Sequence, residues 1–312
     1  METWIAEVTG ARRARRGERL ASLWSGYGEI VRVHLEGGPA PTVVLKSVTP
    51  AQANAHPRGW ASSRSHARKL RSYAVEAAFY RSFAARSRAR VPTGYGVKEV
   101  PGGWRFVLED LDAAGYPERR RALSDADVDG CLAWLATFHA TFLDVEPRGL
   151  WAEGTYWHLG TRPDELEAMA PGPLRDAAAA LDRALSRCRY RTLIHGDAKV
   201  ANFCFGPAGV AAVDFQYVGG GCGMKDLAYL FSCFGSAQLE AGIEGYVDRY
   251  FAHLRSALEA SAHDVGDVEA EWRPLLPLAF ADFERFLAGW APAHPKRDAF
   301  AQAMTERALG SL

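Results

Sequence analysis

The chain has 312 residues, 48% hydrophobic and 24% charged, so it can bury a large core as two domains or one two-lobed unit. Lysine plus arginine and aspartate plus glutamate both number 37, and this zero net charge provides no overall field that would recruit nucleic acid or an anionic membrane. No apolar run approaches the roughly 18 residues of a membrane span, and the acidic start lacks the apolar region of a secretory signal.

The five cysteines are scattered, odd in number and without a C-x-x-C pair. This usage is typical of reduced thiols in a cytoplasmic protein and argues against a disulfide framework or a zinc site. A basic cluster, Arg12–Arg16, has two interpretations: a phosphate or nucleic-acid patch, or the solvated face of a terminal segment, which we favour. We therefore expect a cytoplasmic protein without a nucleic-acid or membrane partner.

Two strand patterns follow. Gly26 and Gly28 stand just before Ile30–Leu35, where apolar and polar residues alternate as in a strand. Such glycines let backbone N–H groups approach phosphates closely, although a plain hairpin turn explains them equally well. The β-branched run Thr42–Val48 predicts the next strand and carries Lys46 among apolar neighbours. Alone, this lysine is either an edge residue reaching water or a functional cation.

A loop is predicted at Thr49–Ser65, and the helix after it extends to about Ala85. Glu76 lies at the margin of the apolar face of this helix, where a carboxylate needs a partner. Two further strands are predicted at Val91–Val97 and Trp104–Leu111, around a Pro-Gly-Gly turn.

The rest of the chain is mainly helical. A capping box at Ser124–Asp127 opens one helix, and Trp151–Asp164 is an aromatic-rich loop that either walls a substrate pocket or covers the surface. Further helices are predicted at Pro173–Cys188, Gly245–Leu258, Pro274–Trp290 and Arg297–Leu309.

The most informative stretch contains two apolar runs that lead into aspartates. Thr192–Ile194 leads through His and Gly to Asp197, Asn202 follows five residues later, and Val210–Val213 ends at Asp214. We interpret the two runs as the strands of one hairpin, which would bring both carboxylates to the same end. One acid to receive a hydroxyl proton, with an Asn and an Asp to hold a divalent metal, is the minimum equipment for phosphoryl transfer from ATP.

The spacing H-x-D-x-x-x-x-N followed by D-F resembles the catalytic-loop and metal-loop signature of the protein-kinase-like fold. The sequence is most similar to the aminoglycoside phosphotransferase and choline kinase group, and its H-G-D and D-F-Q resemble the ecdysteroid-kinase-like branch. This resemblance implies an α+β, bilobal fold. Residues 1–112 would form an N-lobe with a small antiparallel sheet plus a helix, and residues 113–312 a larger, mainly helical C-lobe. It also implies ATP and Mg²⁺ as cofactors and a small hydroxylated molecule as the acceptor.

The same resemblance assigns roles in the C-lobe. Asp197 would accept or orient the acceptor's hydroxyl proton, and His195 would fix the catalytic loop through hydrogen bonds. Lys199 would meet the transferring phosphoryl group, while Asn202 and Asp214 would hold Mg²⁺.

In the N-lobe, the resemblance implies that Lys46 grips the α- and β-phosphates and pairs with Glu76. The remaining nucleotide contacts would come from backbone groups, phosphate contacts at Gly26 and Gly28 and adenine contacts at Leu108, Glu109 and Leu111. Asp226, in D-L-A-Y, would brace the catalytic loop, and the glycine loop Gly219–Gly223 would either close on ligand or only connect. Two alternatives stay open, a nucleotide-binding pseudokinase scaffold and a protein kinase, and so do the acceptor and the oligomeric state.

Overall fold

The computed structural model describes residues 1–23, 26–49, 63–259 and 263–312. The described chain forms two compact units, residues 1–119 with 204–216 and residues 120–203 with 217–312. Most of the predicted loop Thr49–Ser65 lies outside the described residues. Within the described ranges, no helix is both long and apolar enough to cross a membrane.

The first unit is built on an antiparallel sheet of β1 (Arg13–Ser22), β2 (Gly28–Glu36), β3 (Thr42–Val48), β4 (Gly94–Val100) and β5 (Gly103–Glu109). The strands lie in the order β1-β2-β3-β5-β4. Alternation along β2 directs Val31, Val33 and Leu35 into the core. The register places Lys46 of β3 opposite Ile30 and Phe106 of the flanking strands, so this lysine lies in the middle of the sheet.

Two helices pack in this unit, α1 (Glu2–Thr9) and α2 (Ser63–Ser82), and a short 3₁₀ turn at Ala84–Arg86 follows the second. The helix predicted up to Ala85 therefore ends as α-helix at Ser82. The N-terminus is more ordered than a solvated terminal segment, because Ile5 of α1 and Ala14 of β1 belong to one buried apolar cluster. The arginines on either side of Ala14 are nevertheless exposed, as expected.

The hairpin predicted from the two apolar runs is wrong. β6 (Thr192–Ile194) pairs antiparallel with β9 (Gly219–Gly221), whereas β7 (Phe203–Gly206) pairs with β8 (Gly209–Ala212). A tight turn after Gly206 returns the chain onto β7, and the three glycines of β9 have no side chains to obstruct close pairing with β6.

The second unit is mainly helical. Its elements are α3 (Asp125–Thr141), α4 (Pro163–Ala168), α5 (Pro173–Asp176), α6 (Ala178–Ser186), α7 (Met224–Phe231), α8 (Ser236–Leu258), α9 (Val265–Trp272), α10 (Leu276–Trp290) and α11 (Ala299–Leu309). The predicted capping box opens α3, where Ser124 and Asp127 each bond the other's backbone N–H. Helix α10 is buried on nearly all sides and packs against α4, α6, α7 and α11, which makes it the core helix. The helix predicted at Pro173–Cys188 is divided into α5 and α6, and α9 was not predicted.

Candidate active site

In the first unit, side chains from β3, from α2 and from the segment after β8 meet around Lys46. Nζ of Lys46 donates to both carboxylate oxygens of Glu76, at 2.8 and 2.7 Å, and lies 3.6 Å from Oδ1 of Asp214. Lys46 is 5% exposed and Glu76 1%, so the pairing expected from the sequence is present and buried. We call Lys46, Glu76, Asp214 and Gln216 the Lys46 cluster.

The surroundings of Lys46 keep it cationic. Burial alone would lower its pKa, but the charges of Glu76 and Asp214 and their hydrogen bonds outweigh burial and raise it. The rings of Tyr73 and Phe106 also lie with their centroids 5.8 and 5.9 Å from Nζ, close enough for cation–π attraction. Lys46 therefore keeps its positive charge within the cluster, as a phosphate-binding lysine requires.

Gln216 fixes the carboxylate of Asp214. Its Nε2 donates to Oδ1 of Asp214 at 2.5 Å, while its Oε1 accepts from Nζ of Lys69 at 2.7 Å and from Oγ of Ser72 at 3.2 Å. Asp214 has a φ of 69°, a left-handed conformation that Asp tolerates better than most residues. Neither Gln216 nor Lys69 was predicted as a member of this network. The one sequence feature that pointed to either residue was the glutamine at the third position of D-F-Q.

Gly26 lies between β1 and β2 and Gly28 begins β2, and both adopt positive φ, 74° at Gly26 and 142° at Gly28. A Cβ at Gly28 would lie 1.9 Å from the carbonyl oxygen of Ser47, so close approach to β3 requires glycine there. At Gly26 a Cβ would meet no atom of the described residues within 4 Å, and only the backbone conformation favours glycine there. The turn between two strands is thus confirmed, while a phosphate contact at either glycine stays a prediction.

The segment predicted to contact adenine lies at the end of β5. The backbone N–H of Glu109 donates to the carbonyl of Thr93, and its carboxylate pairs with the guanidinium of Arg90. The carbonyl of Leu111 accepts from the N–H of Tyr116, and Leu108 is buried in the sheet. These particular backbone groups are therefore occupied within the chain, which limits the predicted adenine contacts to the other backbone groups of the segment.

In the second unit, the segment from His195 to Asn202, here called the Asp197 loop, follows β6. Oδ2 of Asp197 accepts from Nζ of Lys199 and from Nδ2 of Asn202, both at 2.9 Å. The same Nδ2 donates to the backbone carbonyl of Asp197 at 2.8 Å. Both bonds of Asn202 use its amide nitrogen, which leaves the amide oxygen as the acceptor or metal-binding atom of that side chain.

The loop is held from behind by Asp226. Its two carboxylate oxygens accept from the backbone N–H groups of His195, at 2.6 Å, and Gly196, at 2.9 Å, and Nε2 of His139 lies 3.1 Å from Oδ2. His195 in turn accepts from the N–H of Asp197 through Nδ1. A Cβ at Gly196 would lie 2.1 Å from the carbonyl of Tyr217, so the H-G-D sequence needs its glycine. Asp226 and His195 have the loop-fixing contacts expected from the sequence.

The residues assigned to Mg²⁺ offer oxygen donors, which this cation prefers. Asp214 provides a carboxylate whose side chain is 35% exposed, and Asn202 provides an amide oxygen. Among the described residues, no group of three or more His, Cys, Asp and Glu could hold a metal by itself. Mg²⁺ is commonly held by one or two side chains and completes its shell with phosphate oxygens and water.

Comparison with known proteins defines the class. Residues 23–261 match the model of the phosphotransferase enzyme family (APH), and the chain belongs to this family. It is therefore a phosphotransferase. A comparison with curated proteins finds no match.

Two solved structures share the fold. The GDP complex of wild-type aminoglycoside 2'-phosphotransferase-IIIa is 12% identical, with a TM-score of 0.50 over 99% of this chain and 98% of that one. Amicoumacin kinase hAmiN, in complex with AMP-PNP, Ca²⁺ and Ami, is 16% identical, with a TM-score of 0.50 over 93% of this chain and 86% of that one. These likenesses confirm the predicted α+β, protein-kinase-like fold class.

Proposed function

We propose that this phosphotransferase transfers the γ-phosphate of ATP to a hydroxyl group of a small organic acceptor. The family match supports the reaction class, and two solved structures of the same fold contain GDP and AMP-PNP, which supports a nucleotide donor. H-G-D and D-F-Q support a place in the ecdysteroid-kinase-like branch, and the free cysteines support a cytoplasmic location.

The Lys46 cluster would bind the phosphates of ATP. Lys46 would neutralise the α- and β-phosphate oxygens, and Glu76 would hold its ammonium group in place. Backbone groups at Gly26 and Gly28 would approach the phosphates, although the N–H of Gly26 donates to the carbonyl of Leu23 at 3.1 Å and would have to leave it. Asp214 would be a ligand of Mg²⁺, oriented by Gln216.

The Asp197 loop would activate the acceptor. The hydroxyl proton would pass to the carboxylate of Asp197, the hydroxyl oxygen would bond to the γ-phosphorus, and the bond to the β,γ-bridging oxygen would break to release ADP. Lys199 would stabilise negative charge on the transferring group, and Asn202 would offer its amide oxygen to Mg²⁺. When bound, this cation would neutralise charge on the phosphates.

One observation carries the proposal: a single carboxylate oxygen of Asp197 accepts from both Lys199 and Asn202. These hydrogen bonds hold three groups in one short loop: the general base Asp197, the cation Lys199, and Asn202, whose amide oxygen can bind a metal. A role limited to structure would not need all three groups in this arrangement.

The proposal is tested by incubating γ-labelled ATP, Mg²⁺ and a pooled set of hydroxylated metabolites and antibiotics with the wild-type protein and with Asp197→Asn. We expect label in at least one organic product with the wild type, and a loss of about 10²–10⁴-fold in the variant. Equal labelling by both proteins would contradict the role of Asp197.

A further inference from the structure

An aromatic cluster adjoins the Asp197 loop within the second unit; four of its rings are buried, and those of Tyr156 and Tyr217 are partly exposed. The backbone N–H of Tyr156 donates to the carbonyl of Gly196, the residue before Asp197, at 3.2 Å. The Tyr156 ring meets five aromatic neighbours edge-on, at centroid distances of 5.1 to 6.4 Å. We define the aromatic wall as Tyr156, Trp157, Tyr217, Tyr229, Phe283 and Phe286.

The wall is electrostatically coupled to the loop. Burial and the nearby charge of Asp197 raise the pKa of Tyr156, and burial, Tyr156 and Asp197 raise that of Tyr229. Both phenols therefore stay neutral and keep their hydroxyl hydrogens at neutral pH. The two phenols share a hydrogen bond, and both lie close enough to the Asp197 carboxylate for its charge to act on them.

The backbone beside the wall is strained. Thr155 has a φ of 95°, which is an outlier for a β-branched residue, and its buried Oγ1 has no hydrogen-bond partner among the described residues. Its N–H donates to the carbonyl of Tyr217 at 3.2 Å, which holds this conformation. Backbone strain of this kind persists where surrounding contacts hold the residue in its conformation, and strained residues of this kind cluster at ligand sites.

Two cations lie over rings of the wall, and one of them, Arg162, is paired with Glu165. Nζ of Lys296 lies 4.5 Å from the ring centroid of Tyr229 and 5.7 Å from that of Phe283. This lysine donates to Oγ of Ser232 and has no carboxylate ion-pair partner in the part of the chain that the structure describes. The guanidinium of Arg162 also lies 5.0 Å from the ring centroid of Phe286.

Several carboxylates around the wall are engaged with cations, and that of Asp298, which lines the same cavity as Lys296, accepts from the backbone N–H of Ala301. Oδ1 of Asp282 accepts from Arg285 at 2.8 Å, and its Oδ2 accepts from Nε1 of Trp157. The other pairs nearby are Glu165 with Arg162, Glu284 with Arg297, and Asp197 with Lys199. An acceptor with several positive charges would have to displace these cations and would be repelled by Lys296.

On the basis of the proposed function, we propose that the acceptor is a ring-bearing, largely apolar alcohol, uncharged or with one acidic group, and not a polycationic amino sugar. Its ring packs against the partly exposed rings of Tyr156 and Tyr217, which the buried part of the wall supports, and its hydroxyl reaches Asp197. An acidic group, where present, pairs with Lys296. The acceptor of this chain would thus differ in charge from the acceptor that the name of the aminoglycoside phosphotransferase of the same fold indicates.

The test compares four acceptors in the same assay: phenethyl alcohol, which is neutral, tropic acid, which is anionic, phenylalaninol, which is cationic, and kanamycin, a polycation. We expect kcat/KM for the neutral and anionic alcohols to exceed that for the two cationic compounds by about tenfold or more. Tyr156→Ala should raise KM for phenethyl alcohol by roughly 3–10-fold, because the ring loses its packing surface.

A lysine variant tests the charge. Lys296→Met should reduce the ratio of kcat/KM for tropic acid to that for phenethyl alcohol by about tenfold. Lys98→Met is the matched control, since Lys98 also lies over a ring, 4.1 Å from the centroid of Trp4, in the first unit, and should leave the ratio unchanged.

Preferential phosphorylation of kanamycin or phenylalaninol would overturn the inference and leave the proposed function intact. Failure to label either ring alcohol, in a protein that still hydrolyses ATP slowly, would also overturn it. Absence of any ATP binding or turnover would instead refute the proposed function itself.

Discussion

Gln216 donates a hydrogen bond from Nε2 to Oδ1 of Asp214, at 2.5 Å, and is itself held by Lys69 of α2. The carboxylate proposed as a metal ligand therefore has a dedicated partner that sets its orientation. Partners of this kind matter for metal binding because they reduce the freedom of the ligand before the metal arrives.

The first prediction follows from this contact. Gln216→Ala should raise the Mg²⁺ concentration needed for half-maximal ATP turnover by about 10–100-fold, because Asp214 loses its orienting donor. Gln302→Ala, on the exposed face of α11, is the control and should behave as wild type. An unchanged Mg²⁺ dependence in Gln216→Ala would show that Gln216 does not support a metal ligand.

Asp226→Asn should destabilise the protein by about 1–3 kcal/mol in urea unfolding, because the new amide can place a donor against the buried N–H groups of His195 and Gly196. Asp125→Asn is the matched control. Its side chain is 76% exposed and pairs with Arg249 at the surface, so its loss should cost about 0–1 kcal/mol. Equal stability losses in the two variants would argue against a bracing role for Asp226.

The third prediction concerns acid stability. Burial would raise the pKa of Asp110, but hydrogen bonds from Arg32 and Thr42 outweigh it and lower the pKa. Because the folded pKa lies below the unfolded value of about 3.9, the stabilisation is present above that pH and is lost as pH falls through the folded pKa.

Asp110→Asn should therefore destabilise the protein by about 1–3 kcal/mol at neutral pH and by less at about pH 3, as measured by urea unfolding. Asp248→Asn, at a side chain 66% exposed, should show little effect at either pH. A difference between wild type and Asp110→Asn that stays constant with pH would contradict the assigned pKa shift.

Local patterns predicted much of the site. Helical spacing placed Glu76 at the edge of a packed face, and its pairing with Lys46 is present in the structure. The bracing role of Asp226 was also predictable, because its D-L-A-Y segment resembles a segment of the family. Each inference depended on neighbours along the chain or on a motif of fixed spacing.

The rest depended on pairing between distant segments. β6 pairs with the three glycines of β9, and glycines are depleted in strands, so no propensity pointed to this partner. Gln216 bonds Lys69, which lies 147 residues away, and Tyr156 reaches Gly196 through its backbone. Contacts of this kind follow from the assembled fold and leave no periodic signal in the sequence.

The central claim is that Lys46 is part of an ATP-binding site, and calorimetric titration with AMP-PNP and Mg²⁺ tests it without knowledge of the acceptor. Circular dichroism would first establish that each variant has the wild-type helix content. We predict that the wild type and Asp197→Asn bind the analogue with similar affinity, whereas Lys46→Met binds it about tenfold or more weakly because the phosphates lose their cation. No binding by the wild type, or equal binding by Lys46→Met, would contradict the account.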